Sequence, residues 1–218
     1  MFDEELAGKI EECGVVAVLT VDRAEDAAPL ARALVEGGVT VMELTLRTPA
    51  AVDALEAIVA EVPEILAGVG TVLSPEQIRE IHEVGAAFAV APGANPRVVK
   101  AAQQVGLPFA PGVATASEVE RAIDLGCRYL KFFPAEPMGG MAYLKSMAGP
   151  YSHLGLKFMP LGGVNAENMV TYLGSPLVFA VGGSFVARRS RIQEQDWSGI
   201  TETARQAAET ATAVRTSD

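Results

Sequence analysis

A lysine stands inside a short apolar run, Tyr129-Leu130-Lys131-Phe132-Phe133, which Pro134 brings to a stop. The run reads as a strand, and strand alternation turns Lys131 toward whatever core that strand lines. Lysine is almost never fully buried unless paired. Held away from water, its amine becomes a nucleophile toward carbonyl carbon, which is Schiff-base chemistry. The same residues also suit a lysine that snorkels out along apolar surface, or one at a strand end facing water. A second group is Glu43, Thr45 and Arg47, spaced i, i+2 and i+4 and therefore on one face of a strand. A carboxylate and a guanidinium aimed into a core are costly unless used or paired. A structural Glu43–Arg47 pair, or an Arg47 lying outside in a loop, meets that spacing equally well. A third group is Gly162-Gly163 and Gly182-Gly183-Ser184, each following an apolar run. Glycine pairs let backbone N–H groups approach an anion closely. Thr71, between Gly70 and Val72, reads on its own as a turn residue.

The elements that must position these groups alternate along the whole chain. Apolar runs of strand length occupy residues 15–19, 39–46, 65–69, 88–91, 108–112, 129–133, 157–161 and 177–181. An amphipathic helix over 3–13 precedes them. Between them the pattern predicts helices over 24–36, capped by Asp22, and after Thr48-Pro49, Ser74-Pro75 and Asn95-Pro96. Further helices are expected over 115–125, 139–147, 165–173 and 198–214. Strands that are nearly continuous apolar stretches suit a parallel sheet covered on both faces. The expectation is a single α/β domain over residues 1–218, a small (β/α)8 TIM barrel with a short N-terminal helix. A doubly wound open sheet is the alternative, but no G-x-G-x-x-G follows the first strand. Barrel active sites lie at the C-terminal ends of the strands, where the three groups fall. Barrels often hold a phosphate after strands seven and eight, helped by the start of a short extra helix.

Composition narrows the class. The formal net charge of −10 disfavours nucleic acid and anionic membrane as partners, and an anionic substrate would need local positive groups. No stretch has the length and apolarity of a membrane span, and the acidic N-terminus lacks a signal-peptide layout. Cys13 and Cys127 form no ligand-spaced cluster and read as reduced thiols in a cytoplasmic protein. His82 and His153 have no sequence partner that suggests catalysis or a zinc site. Trp197 reads as a packing residue, and Glu76, Glu80 and Glu83 as a solvated helix face.

The blocks Glu43-Leu44-Thr45-Leu46-Arg47-Thr48, Gly68-Val69-Gly70-Thr71-Val72-Leu73, Ala91-Pro92-Gly93, Pro111-Gly112-Val113-Ala114-Thr115, Lys131-Phe132-Phe133-Pro134-Ala135-Glu136 and Gly162-Gly163-Val164 follow in order. In that order and spacing the chain resembles the bacterial 2-keto-3-deoxy-6-phosphogluconate (KDPG) aldolases, which share a family with 4-hydroxy-2-oxoglutarate (KHG) aldolases. The resemblance implies a class I aldolase on a (β/α)8 barrel, typically a homotrimer, using neither metal nor other cofactor. It matches Lys131 with the Schiff-base lysine and Glu43 with the proton-shuttling carboxylate. Arg47 and Thr71 match the groups that hold the pyruvyl carboxylate, and Pro92 a further substrate-binding position. Gly162, Gly163 and Ser184 match the phosphate site, and Gly182 and Gly183, the glycine pair before Ser184, are expected to bind substrate with them. The implied partners are pyruvate and a phosphorylated keto acid. Leu161 stands where many members have threonine, and Thr20 where many have a basic residue. Other substrates with the same pyruvyl end are the galactonate epimer of KDPG and 4-hydroxy-2-oxoglutarate. A phosphosugar isomerase or epimerase, or a barrel that only senses a phosphorylated metabolite, would share the glycine pairs without needing Lys131 as nucleophile.

Overall fold

A computed structural model describes residues 2 and 4–216. Met1 and Asp3 of the acidic opening run lie outside the described residues, and with Asp3 the expected first residue of the first helix. The strands are β1 (Val15–Leu19), β2 (Val41–Thr45), β3 (Leu66–Gly70), β4 (Phe88–Val90), β5 (Phe109–Ala110), β6 (Gly112–Val113), β7 (Tyr129–Phe132), β8 (Lys157–Pro160) and β9 (Val181–Gly183). The helices are α1 (Glu4–Cys13), α2 (Ala27–Glu36), α3 (Ala51–Glu61), α4 (Pro75–Val84), α5 (Pro96–Val105), α6 (Ala116–Asp124), α7 (Gly140–Ala148), α8 (Met169–Leu173), α9 (Arg189–Gln193) and α10 (Trp197–Arg215). Six strands pair in the order β5-β4-β3-β2-β1-β9 and three in the order β6-β7-β8. All pairings are parallel, as short βα units dictate.

Alternation along the strands divides the core in two. Val15, Ala17, Leu19, Met42, Leu44, Val69, Leu130 and Phe132 turn outward and pack with the helices. Val16, Val41, Phe88, Val90, Ala110, Met159, Leu161 and Phe179 turn inward and form a separate cluster. That inner cluster draws on strands of both sheets, so the sheet is curled and its concave side is packed. Phe2, Ala7 and Ile10 join the same cluster. Phe2 packs its ring, tilted, with its centroid 5.7 Å from that of Phe88 and 5.8 Å from that of Tyr129, near the N-terminal starts of β4 and β7. The N-terminal segment thus closes one end of the curled sheet and leaves the strands' C-terminal ends open. No helix among the described residues is long and apolar enough to cross a membrane.

The helix starts follow local chemistry where it is unopposed. Ser74 and Thr115 make capping boxes with Gln77 and Glu118, and Asn95 accepts from the Arg97 N–H. Four expectations change. Asp22 does not cap a helix. The segment opens with a 3-10 turn over Ala24–Asp26, and Asp22 is taken by Arg189 and Gln193 instead. A two-toothed guanidinium outweighs a single backbone N–H as a carboxylate partner. The fifth run is split at Pro111, which has no N–H to give a ladder. The eighth strand begins at Val181 because a turn at Ser175 takes the N–H groups of Leu177 and Val178, leaving Val178 one isolated bridge to Phe158. The expected helix over 165–173 is regular only as α8, since Asn165 and Asn168 tie up the preceding turn.

Candidate active site

Register brings the two candidate catalytic residues together. Glu43 lies between Val18 of β1 and Gly68 of β3, and Lys131 lies between Gly112 of β6 and Met159 of β8. Both point to the concave side. Lys131 Nζ donates to Glu43 Oε1 at 2.9 Å and to Oε2 at 3.1 Å, across 88 residues of sequence. The side chains are 6% and 1% exposed, which removes the snorkelling option for Lys131. Glu43 pairs with Lys131 and not with Arg47, which also removes the strand-two ion pair. An isolated charge of either sign would be strongly disfavoured here, and the contact satisfies both. The Phe133 ring centroid is 5.5 Å from Nζ and shields the amine from one side.

Space for the carboxylate comes from a missing side chain. A Cβ on Gly70 would stand 1.8 Å from Glu43 Oε1 and 2.4 Å from its Cδ. Thr45, the next inward residue of β2, is fastened elsewhere. Its hydroxyl donates to Leu19 O at 2.8 Å, so the Thr20 hydroxyl must be the donor in the 3.0 Å contact between the two threonines. Thr45 therefore ties β2 to β1. Arg47 lies past the end of β2, exposed, with its Nε donating to the Thr71 hydroxyl at 3.3 Å. Thr71 has φ +62°, a left-handed conformation that costs a β-branched residue on the order of 1–2 kcal/mol. That strain sets the hydroxyl against Arg47.

Lys131 and Glu43 open into a cavity of about 440 Å³. Its wall also includes Thr20, Arg47, Phe133, Leu161, Gly162, Gly163, Gly182, Gly183 and Ser184, along with Arg188 and Arg189. Leu161 presents an apolar, almost fully buried side chain to the cavity. The Gly162-Gly163 pair has φ near +89° at both residues, and a Cβ on Gly163 would strike Glu136 Cβ at 2.5 Å. Glu136 braces this loop from below: its N–H donates to Gly162 O at 3.0 Å, and its carboxylate accepts a short hydrogen bond from Tyr172. Burial, reinforced by that carboxylate, raises the Tyr172 pKa well above the ordinary phenol value. Thr71 stands beside this cavity through Arg47. Pro92 is exposed and lies on a neighbouring hollow with Val72, Leu73 and Asn95, outside the wall that holds Lys131.

His82 and His153 are both exposed, and Glu76, Glu80 and Glu83 form a solvated face. Cys13 and Cys127 are free thiols, and burial pushes the Cys127 thiol up to about 11. Among the described residues no three His, Cys, Asp or Glu side chains gather as a metal site.

A family model for "Aldolase: KDPG and KHG aldolase" matches residues 6–203. The chain belongs to the KDPG and KHG aldolase family. It is 45% identical to the KHG/KDPG aldolase of Escherichia coli (strain K12), over 89% of this chain and 91% of that protein. It is 43% identical to the 2-dehydro-3-deoxy-phosphogluconate aldolase of Treponema pallidum, over 90% and 93%. Among solved structures, the KDPG aldolase of Legionella pneumophila, with pyruvate captured as a covalent carbinolamine, superposes with a TM-score of 0.88. That alignment has 39% identity and covers 92% of this chain and 97% of the other. The KDPG aldolase of Zymomonas mobilis with 3-phosphoglycerate superposes with a TM-score of 0.86 at 38% identity, covering 93% and 94%.

Within this aldolase fold the sequence pattern alone did not single out several residues in or behind the cavity wall. Gly70 followed the third apolar run without a role of its own, and only its position over Glu43 shows why a side chain is excluded. Phe133 read as part of an apolar run. Arg188 and Arg189 fall in a stretch without periodic pattern between Ser184 and the last helix, where α9 was not expected.

Proposed function

We propose that this enzyme is a class I aldolase that reversibly cleaves 2-keto-3-deoxy-6-phosphogluconate to pyruvate and glyceraldehyde 3-phosphate. The observation that carries the reading is the buried Lys131–Glu43 contact at 2.9 Å, opening onto a cavity walled on one side by paired glycines. A buried amine with a carboxylate in hydrogen-bond contact can pass its proton to that carboxylate and attack. Lys131 adds to the C2 ketone to give a carbinolamine, and Glu43 returns its proton to the departing hydroxyl, so that loss of water gives the iminium and leaves Glu43 a carboxylate. The iminium takes up the electron pair of the C3–C4 bond as Glu43 removes the proton from the C4 hydroxyl. Glyceraldehyde 3-phosphate leaves and an enamine remains. Protonation at C3 and hydrolysis then return the lysine and release pyruvate. A carboxylate so placed contributes on the order of 100- to 10,000-fold. Arg47, supported by Thr71, receives the pyruvyl carboxylate through charge-assisted bonds. Gly162, Gly163, Gly182, Gly183 and Ser184 receive the phosphate on backbone close to the cavity, while Pro92, on the neighbouring hollow, is left without a substrate contact in this reading. In this way a protein of net charge −10 binds an anion.

The finer architecture belongs to the same proposal. We read the two sheets as one closed eight-strand barrel in a single domain. The supports are the chain's direct passage from β5 to β6 across Pro111 and the isolated Leu161–Gly182 bridge between β8 and β9. A cytoplasmic homotrimer is the proposed assembly. Exposed Leu73 and the adjoining hollow around Pro92 offer an apolar face on which copies can meet. Light scattering of the purified protein tests it.

The substrate is tested by a coupled pyruvate-release assay on KDPG, its galactonate epimer and 4-hydroxy-2-oxoglutarate. The highest kcat/KM is expected with KDPG. Leu161 supplies no hydroxyl to read the middle of the substrate, so discrimination between the two epimers is expected to be weak. Pyruvate release from none of the three would overturn the assignment.

A further inference from the structure

The cavity wall carries four cationic side chains, Arg47, Lys131, Arg188 and Arg189, against one carboxylate, Glu43. Two of the cations are spoken for. Lys131 is paired with Glu43. Arg189 gives both Nε and Nη2 to Asp22, at 3.0 and 2.5 Å. The Arg189 hydrogen bond, with help from Gln193, holds the Asp22 carboxyl down at about 2, so the pair stays charged on both sides at any physiological pH. Arg189 therefore contributes little net field to the cavity. The remaining two, Arg47 and Arg188, make no ion pair among the described residues.

These two unpaired guanidiniums belong to opposite ends of the site. Arg47 follows β2, and Arg188 follows β9 and the Gly182-Gly183-Ser184 segment. In the sheet β1 separates β2 from β9, which places the strands that carry the two arginines roughly 10 Å apart. That separation suits a six-carbon acid with a carboxylate at one end and a phosphate at the other. Among the described residues the phosphate side has no other basic residue free of an ion pair: Arg189 is held by Asp22, and Thr20, at the end of the intervening strand, turns its hydroxyl to Thr45. Glycine N–H groups orient a phosphate but carry only partial charge, while the phosphate brings close to two negative charges into a protein that is already acidic.

We infer that Arg188 is the specificity-determining cation of this enzyme: its guanidinium neutralises the distal phosphate and sets the preference for phosphorylated over unphosphorylated keto-deoxy acids. The Asp22–Arg189 pair is what leaves this role to Arg188, because it withdraws the adjacent arginine from competition. The inference rests on the phosphate reading of the glycine pairs given above. Arg188 is exposed and long-armed, so its bond forms on binding and weakens with salt.

The test compares wild type, Arg188→Ala and Arg188→Lys on KDPG and on 2-keto-3-deoxygluconate, the same carbon skeleton without phosphate, in a pyruvate-release assay. Borohydride trapping of pyruvate confirms that each variant is folded and carries a working lysine. In Arg188→Ala the KM for KDPG is expected to rise on the order of 10-fold with little change in kcat. The preference for KDPG over its unphosphorylated counterpart is expected to shrink by the same factor. Arg188→Lys is expected to recover most of the loss, and the wild-type KM to rise with ionic strength more steeply than that of Arg188→Ala. If wild type prefers KDPG and Arg188→Ala keeps that preference, the role of Arg188 falls while the phosphate site stands. An equal loss on both substrates makes Arg188 structural and also overturns the inference. A wild type that does not discriminate at all removes the phosphate reading and this inference with it.

Discussion

The Glu43 carboxylate occupies space that exists because residue 70 is glycine, and Gly70→Ala tests how tightly that placement matters. The added methyl would stand 1.8 Å from Oε1, where ordinary contact begins near 3.4 Å, so the carboxylate must retreat by about 1.6 Å or β3 must shift. Neither is free. Glu43 is fully buried, and β3 is laddered on both sides, to β2 and β4. Overpacking of this kind costs about 1–3 kcal/mol of stability. The larger effect is on the reaction. A displacement of that size breaks the 2.9 and 3.1 Å contacts to Lys131, and misplacement of a reacting group by about 1 Å costs on the order of 100-fold. Steady-state pyruvate release should show kcat down by about that factor, while borohydride still traps pyruvate on Lys131. A urea titration gives the stability change separately. Activity close to wild type, with alanine verified at position 70, would mean that Glu43 can move without consequence and is not the proton-transfer group.

Three further perturbations address the residues around this pair. Thr71→Gly removes a left-handed β-branched residue, so stability should rise by about 1 kcal/mol in urea while KM rises through loss of the Arg47 support; a drop in stability would mean that Thr71 is not strained. Tyr172→Phe leaves the Glu136 carboxylate without its donor beneath the Gly162-Gly163 loop and should cost about 1–3 kcal/mol, and an unchanged urea midpoint would contradict the bracing role. The Asp22 carboxyl is held at about 2, below its ordinary 3.8, by the Arg189 hydrogen bond. Its stabilising contribution is therefore complete above pH 3.8 and lost as pH falls toward 2. Asp22→Asn should flatten that acid limb in a series of melting temperatures, and identical acid limbs would show that the pair does not form in solution.

Much of the site could be read from single segments because strand alternation and strand ends are local properties. Lys131 declared itself as a charge inside an apolar run, and Glu43 by its position in the run before Arg47. What local pattern could not supply was the partnership between them, since the contact spans 88 residues and depends on how the sheet curls. The same limit explains Asp22. An aspartate ahead of a helix is an ordinary cap in sequence terms, but an arginine 167 residues later outbids the local backbone. Pro111 lacks the backbone donor, and Ser175 diverts two donors, that a regular apolar strand would use in its ladder. Gly70 and Arg188 stayed silent for a different reason. One acts by lacking a side chain beneath a neighbour, and the other by being left unpaired once Arg189 is taken, and neither fact exists before the chain is folded.

The central claim is that the Lys131 amine bonds to the keto carbon of the substrate. Incubation with pyruvate and borohydride, followed by peptide mapping by mass spectrometry, measures that bond directly. The expected result is a reduced pyruvyl adduct on the peptide containing Lys131, absent in Lys131→Ala. An adduct that persists in Lys131→Ala, or appears on another lysine of the wild type, would contradict the account.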